Sequence, residues 1–213
     1  MRTATIILTL FLLSSCSSTK LTSSWKNPEF TGFKPKKILV IGVTSNAEVR
    51  NTFERALKNE LNKRQINALK SNVVFEKSFN DSTYTQQEIE SQLNTLTKAG
   101  YDTVLVSLVK DINNNTFYNG IPPKLNYRLP KLLVLYLSYP NINTRQNYQQ
   151  RKFQIFEIES SLYSLCAESG KTLVWSGNYH IIDPKNTQRT IVNYVKKVLK
   201  SLEKEALISK KGM

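Results

Sequence analysis

Lys37-Ile38-Leu39-Val40-Ile41-Gly42-Val43 is an uninterrupted aliphatic run rich in β-branched residues. A strand with one wet face alternates apolar and polar residues; this run does not alternate, so it predicts a strand covered on both sides. Helices above and below a sheet are the usual cover. The first follows at once. Ser45-Asn46-Ala47-Glu48 has capping-box spacing, with Ser45 satisfying an orphan amide and Glu48 reaching back. Val49, Phe53, Leu57 and Leu61 then recur every fourth residue, with Arg50, Glu54, Arg55, Lys58 and Lys63 on other faces, an amphipathic helix to about Arg64.

Working outward, residues 66–75 read as a second strand. Thr85-Gln86-Gln87-Glu88 is another capping box, followed by Ile89, Leu93 and Leu96 and a Gly100 stop. Residues 101–108 give a third buried strand. Residues 153–163 and 171–182 flank Glu168-Ser169-Gly170 and read as a β-hairpin. A last helix follows Asp183-Pro184, with Ile191, Val195, Val198 and Leu202 on one face and Lys196, Lys197, Lys200 and Lys204 elsewhere. The order βαβαβ, loop section, hairpin, helix predicts one α/β domain, bordering on α+β, over residues 25–208. Its mixed sheet would be packed by about three helices.

The middle is different. Residues 112–156 hold Lys124, Arg128, Lys131, Arg145, Arg151 and Lys152 without one Asp or Glu, interleaved with Tyr118, Tyr127, Tyr136, Tyr139 and Tyr148. Pro122, Pro123, Pro130 and Pro140 break helices and central strands, so residues 112–152 are expected to be mostly loop or edge, with 132–139 the one plausible strand.

The chain of 213 residues carries 30 Lys and Arg against 16 Asp and Glu, a net +14 that favours anionic partners. One His and two Cys are too few for a zinc cluster, which takes about four such ligands. No cofactor is indicated: the phosphate-binding glycine motifs are missing, and the turn 42–46 reads as a helix cap rather than an anion cradle.

At the amino terminus, Arg2 precedes a hydrophobic run over residues 6–13 and then Leu13-Ser14-Ser15-Cys16. A spanning helix needs roughly 20 apolar residues, so this reads as a signal peptide. Leu-Ser-Ser-Cys resembles the lipobox of bacterial lipoproteins. That resemblance implies cleavage after residue 15 and acylation of Cys16, with residues 16–24 as a flexible tether to the domain. Ser17 after the Cys resembles outer-membrane sorting, and the absence of an acidic cluster after Cys16 favours the periplasmic side.

The first strand and helix, residues 101–110, and Gly170-Lys171-Thr172-Leu173-Val174-Trp175-Ser176-Gly177 before the last helix resemble a family of uncharacterised Gram-negative lipoproteins. The α/β pattern is also similar to the amino-terminal domain of the Tol-system propeller protein and to the curli-secretion and penicillin-binding-protein-activating lipoproteins. These resemblances imply a non-catalytic binding or scaffolding role in the envelope.

Catalytic alternatives draw on few residues. Any Ser-His-Asp or Cys-His system must use His180, with Asp183 and Cys166 or a Ser, yet Gly-x-Ser-x-Gly is absent. Glu157 and Glu159 would share a strand face, as glycosidase carboxylates sometimes do, so an envelope hydrolase acting on glycan or lipid is the alternative function. The candidate binding groups are Lys124, Arg128, Lys131 and Arg145 with Tyr127 and Tyr136. Their chemistry suits anionic lipid, glycan or an envelope protein; single-stranded nucleic acid is disfavoured by the address. Cys166, between Leu165 and Ala167, is expected to be at least partly buried.

Cys16→Ala should leave the precursor unprocessed or release the protein from the membrane. Mass spectrometry of the membrane fraction checks this: a mature amino terminus other than acylated Cys16 contradicts it.

Overall fold

Ile38, Leu39, Val40 and Ile41 are all completely buried, as a run without a polar face requires. In a computed structural model describing residues 19–44, 46–75, 84–111, 129, 133, 155–166, 172–182 and 184–211, they lie on the second of six strands. The elements are β1 (Thr19–Lys26), β2 (Lys37–Val43), α1 (Ala47–Asn62), β3 (Asn67–Lys70), α2 (Gln86–Lys98), β4 (Thr103–Asp111), β5 (Ile155–Ser164), β6 (Thr172–Ile182) and α3 (Thr187–Lys204). The sheet order is β1-β6-β5-β4-β2-β3. β3, β2 and β4 run parallel, while β5, β6 and β1 continue antiparallel. This is the mixed sheet of a single α/β domain, packed by the three long α-helices of the described residues.

Alternation along β2 sends side chains into two cores. Ile38 and Val40 join Phe53, Leu57 and Leu61 of α1, Tyr194, Val195, Val198 and Leu202 of α3, and Trp175 and Tyr179 of β6. On the other face Leu39, Ile41 and Val43 meet Ile89, Leu93 and Leu96 of α2, together with Leu129 and Leu133. Leu133 is helical, which corrects the strand expected over residues 132–139: Leu129 and Leu133 sit four apart, the spacing of one helix face. The remainder of 112–152 lies outside the described residues.

The sequence expectations need three further adjustments. The cap of α1 is Asn46, whose side chain accepts from the Glu48 and Val49 amides, instead of the expected Ser45; both residue types cap well and they are adjacent. The Thr85–Glu88 capping box of α2 forms with both reciprocal bonds. Of the stretch 16–24 expected to be a tether, Thr19 onward is already strand, because β1 pairs with β6 from Thr19↔Ile181 to Lys26↔Trp175. Finally, Glu54 does not face outward: it is 2% exposed. Its carboxylate accepts from Gly42 N (2.9 Å), Ser71 Oγ (2.6 Å) and Ser71 N (3.1 Å), tying α1 to the ends of β2 and β3. Helix and strand approach closely there. A Cβ on Gly42 would stand 3.0 Å from Phe53 Cδ1, so a side chain at this position would press α1 away.

Hydroxyls fix α3 against the sheet centre. Tyr194 Oη shares a 2.6 Å hydrogen bond with Ser160 Oγ and donates to Ser107 Oγ at 3.2 Å, and the two serines share a third at 2.8 Å. Tyr179 donates to Ser201 Oγ (2.9 Å). Burial pushes the Tyr179 phenol up to about 12 and Tyr194 well above the ordinary tyrosine value, so both stay neutral. At the far end Arg64 bridges α1 to α3, reaching Glu203 Oε1 at 2.9 Å and Glu60 Oε2 at 3.1 Å.

Phe53→Ala should cost about 3–5 kcal/mol in urea unfolding, and Val195→Ala less, from lost burial and the cavity left behind; unchanged midpoints for both would contradict the two-core packing. Burial raises the Glu54 pKa above its ordinary value despite three hydrogen bonds and Arg50. The folded state therefore favours the protonated form more than the unfolded state does. The resulting stabilisation is full below the unfolded pKa and is lost as pH rises through the raised folded value. The stability of wild type relative to Glu54→Gln should thus fall as pH rises from the ordinary carboxylate range through the raised folded value; a pH-independent difference contradicts this.

Candidate functional site

The register Thr19–Ile181–Phe156–Asp111 marks one end of the sheet. β2, β4 and β6 run toward this end, and α1 and α3 begin beside it. The chain leaves β4 at Asp111 and re-enters β5 at Ile155, so both junctions of the acid-free segment lie here too. Lys124, Tyr127, Arg128, Lys131, Tyr136 and Arg145 themselves lie outside the described residues, as does Cys16.

The structure brings together the isolated titratable groups of the hairpin. Glu157 is the register partner of His180, and His180 of Lys20. Glu159 pairs with Asn178. Because directly opposed residues share a face, Lys20, His180, Glu157, Glu159 and Asn178 project to one side, the side to which Tyr163 contributes in the second core. Glu159 Oε1 accepts from Ser161 Oγ at 3.2 Å. Asn178 Nδ2 donates to Ser23 Oγ at 2.9 Å, while its Oδ1 has no partner among the described residues.

Among the described residues the arrangement is polar and assembles no known reaction centre. Carboxylates that cleave a glycosidic bond flank it, whereas Glu157 and Glu159 stand two apart on one strand and project side by side. Cys166 follows the opposite end of β5. The run from Glu157, level with His180, to Ser164 is seven residues of strand, roughly 23 Å, so Cys166 and His180 cannot form a dyad. Cys166 is exposed, which corrects the burial expected from its neighbours: it sits in the bend after β5, where Leu165 N bonds Asp102 O at 2.8 Å and turns inward while the next residue turns out.

An anion cradle at the start of α1 is also closed off. The amides of Glu48 and Val49 are taken by Asn46, that of Gly42 by Glu54, and the Glu54 carboxylate lies directly beneath. Among the described residues no group of three or more His, Cys, Asp or Glu is placed to hold a metal ion. No helix among them is long and apolar enough to cross a membrane.

Basic groups that the sequence reading passed over lie at the end marked by Thr19. Lys20 opens β1, while Lys185 and Arg189 stand at the start of α3, all three exposed. Ile182 at the tip of β6 is 47% exposed at the same end. Only knowledge that Thr19 is already strand would have singled them out.

No protein-family model and no curated protein sequence matches the chain. Among solved structures it is similar to the PelC dodecamer from Paraburkholderia phytofirmans, at 11% identity and TM-score 0.45 over 86% of this chain and 96% of that one. A point variant of that PelC gives 10% identity and 0.42, over 86% and 97%. Lipoprotein GNA1162 from Neisseria meningitidis gives 13% identity and 0.39, over 80% of this chain and 99% of that one. Identities and scores this low carry no inference about activity or assembly.

Native protein should label at Cys166 with a water-soluble maleimide stoichiometrically and without denaturant. A thiol that reacts only after unfolding contradicts the exposed bend.

Proposed function

We propose that this protein is a lipid-anchored lipoprotein of the outer membrane, facing the periplasm, whose α/β domain is a non-catalytic binding module for an anionic component of the envelope. The observation that carries the reading is topological. The segment 112–154, acid-free and rich in Lys, Arg and Tyr, is joined at Asp111 and Ile155 to the sheet end where β1 begins at Thr19, three positions after the lipobox Cys16. The point where the chain would leave its anchor and both junctions of the basic segment thus share one end of the domain. Lys124, Arg128, Lys131 and Arg145 supply charge, and Tyr127 and Tyr136 supply amphipathic rings suited to an interface. An anchor that confines the domain to its membrane raises the effective concentration of such a site, so weak intrinsic affinity is enough.

Co-sedimentation of the mature chain carrying Cys16→Ala with anionic vesicles or lipopolysaccharide tests this. Binding should be measurable at low salt and weaken with rising salt. It should fall more than tenfold when Lys124, Arg128, Lys131 and Arg145 become Gln, at about 1 kcal/mol per basic residue at an anionic surface. Absence of binding at low ionic strength, or binding that survives the four changes, contradicts the proposal.

A further inference from the structure

The tether expected from sequence shrinks to almost nothing. Three residues of chain from Cys16 to Thr19 advance at most about 11 Å even when fully extended, and Thr19 is fixed by pairing to Ile181. A domain acylated at Cys16 therefore cannot tumble at a distance from its membrane. Its Thr19 end must stay within about one strand spacing or two of the headgroups, while the sheet extends away from them.

The described surface at that end fits such a neighbour. Ile182, 47% exposed, offers an apolar side chain at the tip of β6. Lys20 on β1, Lys185 before α3 and Arg189 in its first turn are exposed at the same end of the sheet. The described acids toward this end are Asp111 at the end of β4, Glu48 at the start of α1, and the half-buried Glu157 and Glu159 of β5. An apolar tip that shares its sheet end with three long basic side chains is suited to the boundary between acyl chains and anionic headgroups, where the stems cover apolar surface and the charges meet phosphate. At the opposite end Asp102 caps β2 and β4, accepting from Lys36 N, Lys37 N and Thr103 Oγ1, and Cys166 stands exposed nearby.

Resting on the lipid-anchor reading above, we infer that Lys20, Ile182, Lys185 and Arg189 form a footing that seats the domain on the anionic headgroups of its own membrane, with the strands standing away from the bilayer and Cys166 at the far end. The footing fixes orientation, and so presents the Asp102 end outward.

The native thiol makes the test simple, since acylation consumes Cys16. The lipidated protein is reconstituted into phosphatidylethanolamine–phosphatidylglycerol vesicles and labelled with a fluorophore either at Cys166 or at Ile182→Cys in a Cys166→Ser background. Quenching by headgroup-attached nitroxide lipid is then compared. The footing predicts quenching at least threefold stronger at position 182 than at 166. It also predicts that Lys20→Gln, Lys185→Gln and Arg189→Gln together cut the difference at least twofold, as does high salt. Equal quenching at the two positions, or a difference indifferent to both the substitutions and salt, overturns the footing while the anchor stands. A mature protein without acyl mass on Cys16 overturns both.

Discussion

The buried carboxylate of Glu54 holds the parallel half of the molecule together. It accepts from the Gly42 amide at the end of β2 and from the Ser71 amide and hydroxyl just past β3, so one side chain of α1 grips the outgoing ends of two strands. Removing a charge from water is costly unless its lone pairs are occupied; here three donors occupy them, and the charge of the nearby Arg50 adds attraction. The residual cost surfaces as the raised pKa. Asp102 does the matching work at the incoming ends of β2 and β4. With both ends of β3-β2-β4 fixed, the hydroxyl cluster of Ser107, Ser160 and Tyr194 joins this unit to the antiparallel hairpin and to α3.

This clamped frame gives the domain two unlike ends. One receives β1 at Thr19, releases and retakes the chain at Asp111 and Ile155, and starts α1 and α3. The other carries Asp102, the Cys166 bend and the Arg64–Glu203 bridge. The titratable groups most suggestive of catalysis are distributed between these ends instead of being gathered: His180 and the two glutamates near the first, the thiol beyond the second. A rigid sheet cannot bring them together by side-chain motion, and the hydroxyls that do cluster are buried, neutral and committed to one another. The exposed Lys20, Lys185 and Arg189 share the end of the frame at which the chain enters at Thr19.

Much of the architecture was legible because burial on two faces leaves a clear pattern. Residues 37–43, the fourfold spacing of Phe53, Leu57 and Leu61, and the Thr85–Glu88 box each translate directly into an element. β1 was not legible. Residues 19–26 are mostly small and polar, and an edge strand that contributes only Leu21 and Trp25 as large apolar groups has almost no alternation to read; its stability comes from ladder hydrogen bonds to β6, which sequence does not display. Glu54 was misread for a related reason. Its spacing to Leu57 and Leu61 puts it on the buried stripe, but a carboxylate there becomes tolerable only once the Gly42 and Ser71 donors are in place. The exposed position of Cys166 depends on where β5 ends, and strand ends are poorly marked when no Gly or Pro stands at the bend.

If Lys20, Ile182, Lys185 and Arg189 seat the domain, the end of the sheet entered at Thr19 meets the anionic membrane. Amide hydrogen exchange of the lipidated protein, compared between zwitterionic vesicles and vesicles containing phosphatidylglycerol, addresses it directly. Anionic lipid should then add protection in the turn between Val43 and α1, at the tip of β6 and in the first turn of α3. Exchange around Asp102, Cys166 and the end of α3 should stay unchanged. Protection appearing at the Asp102 end, or spread evenly over both ends, would contradict it.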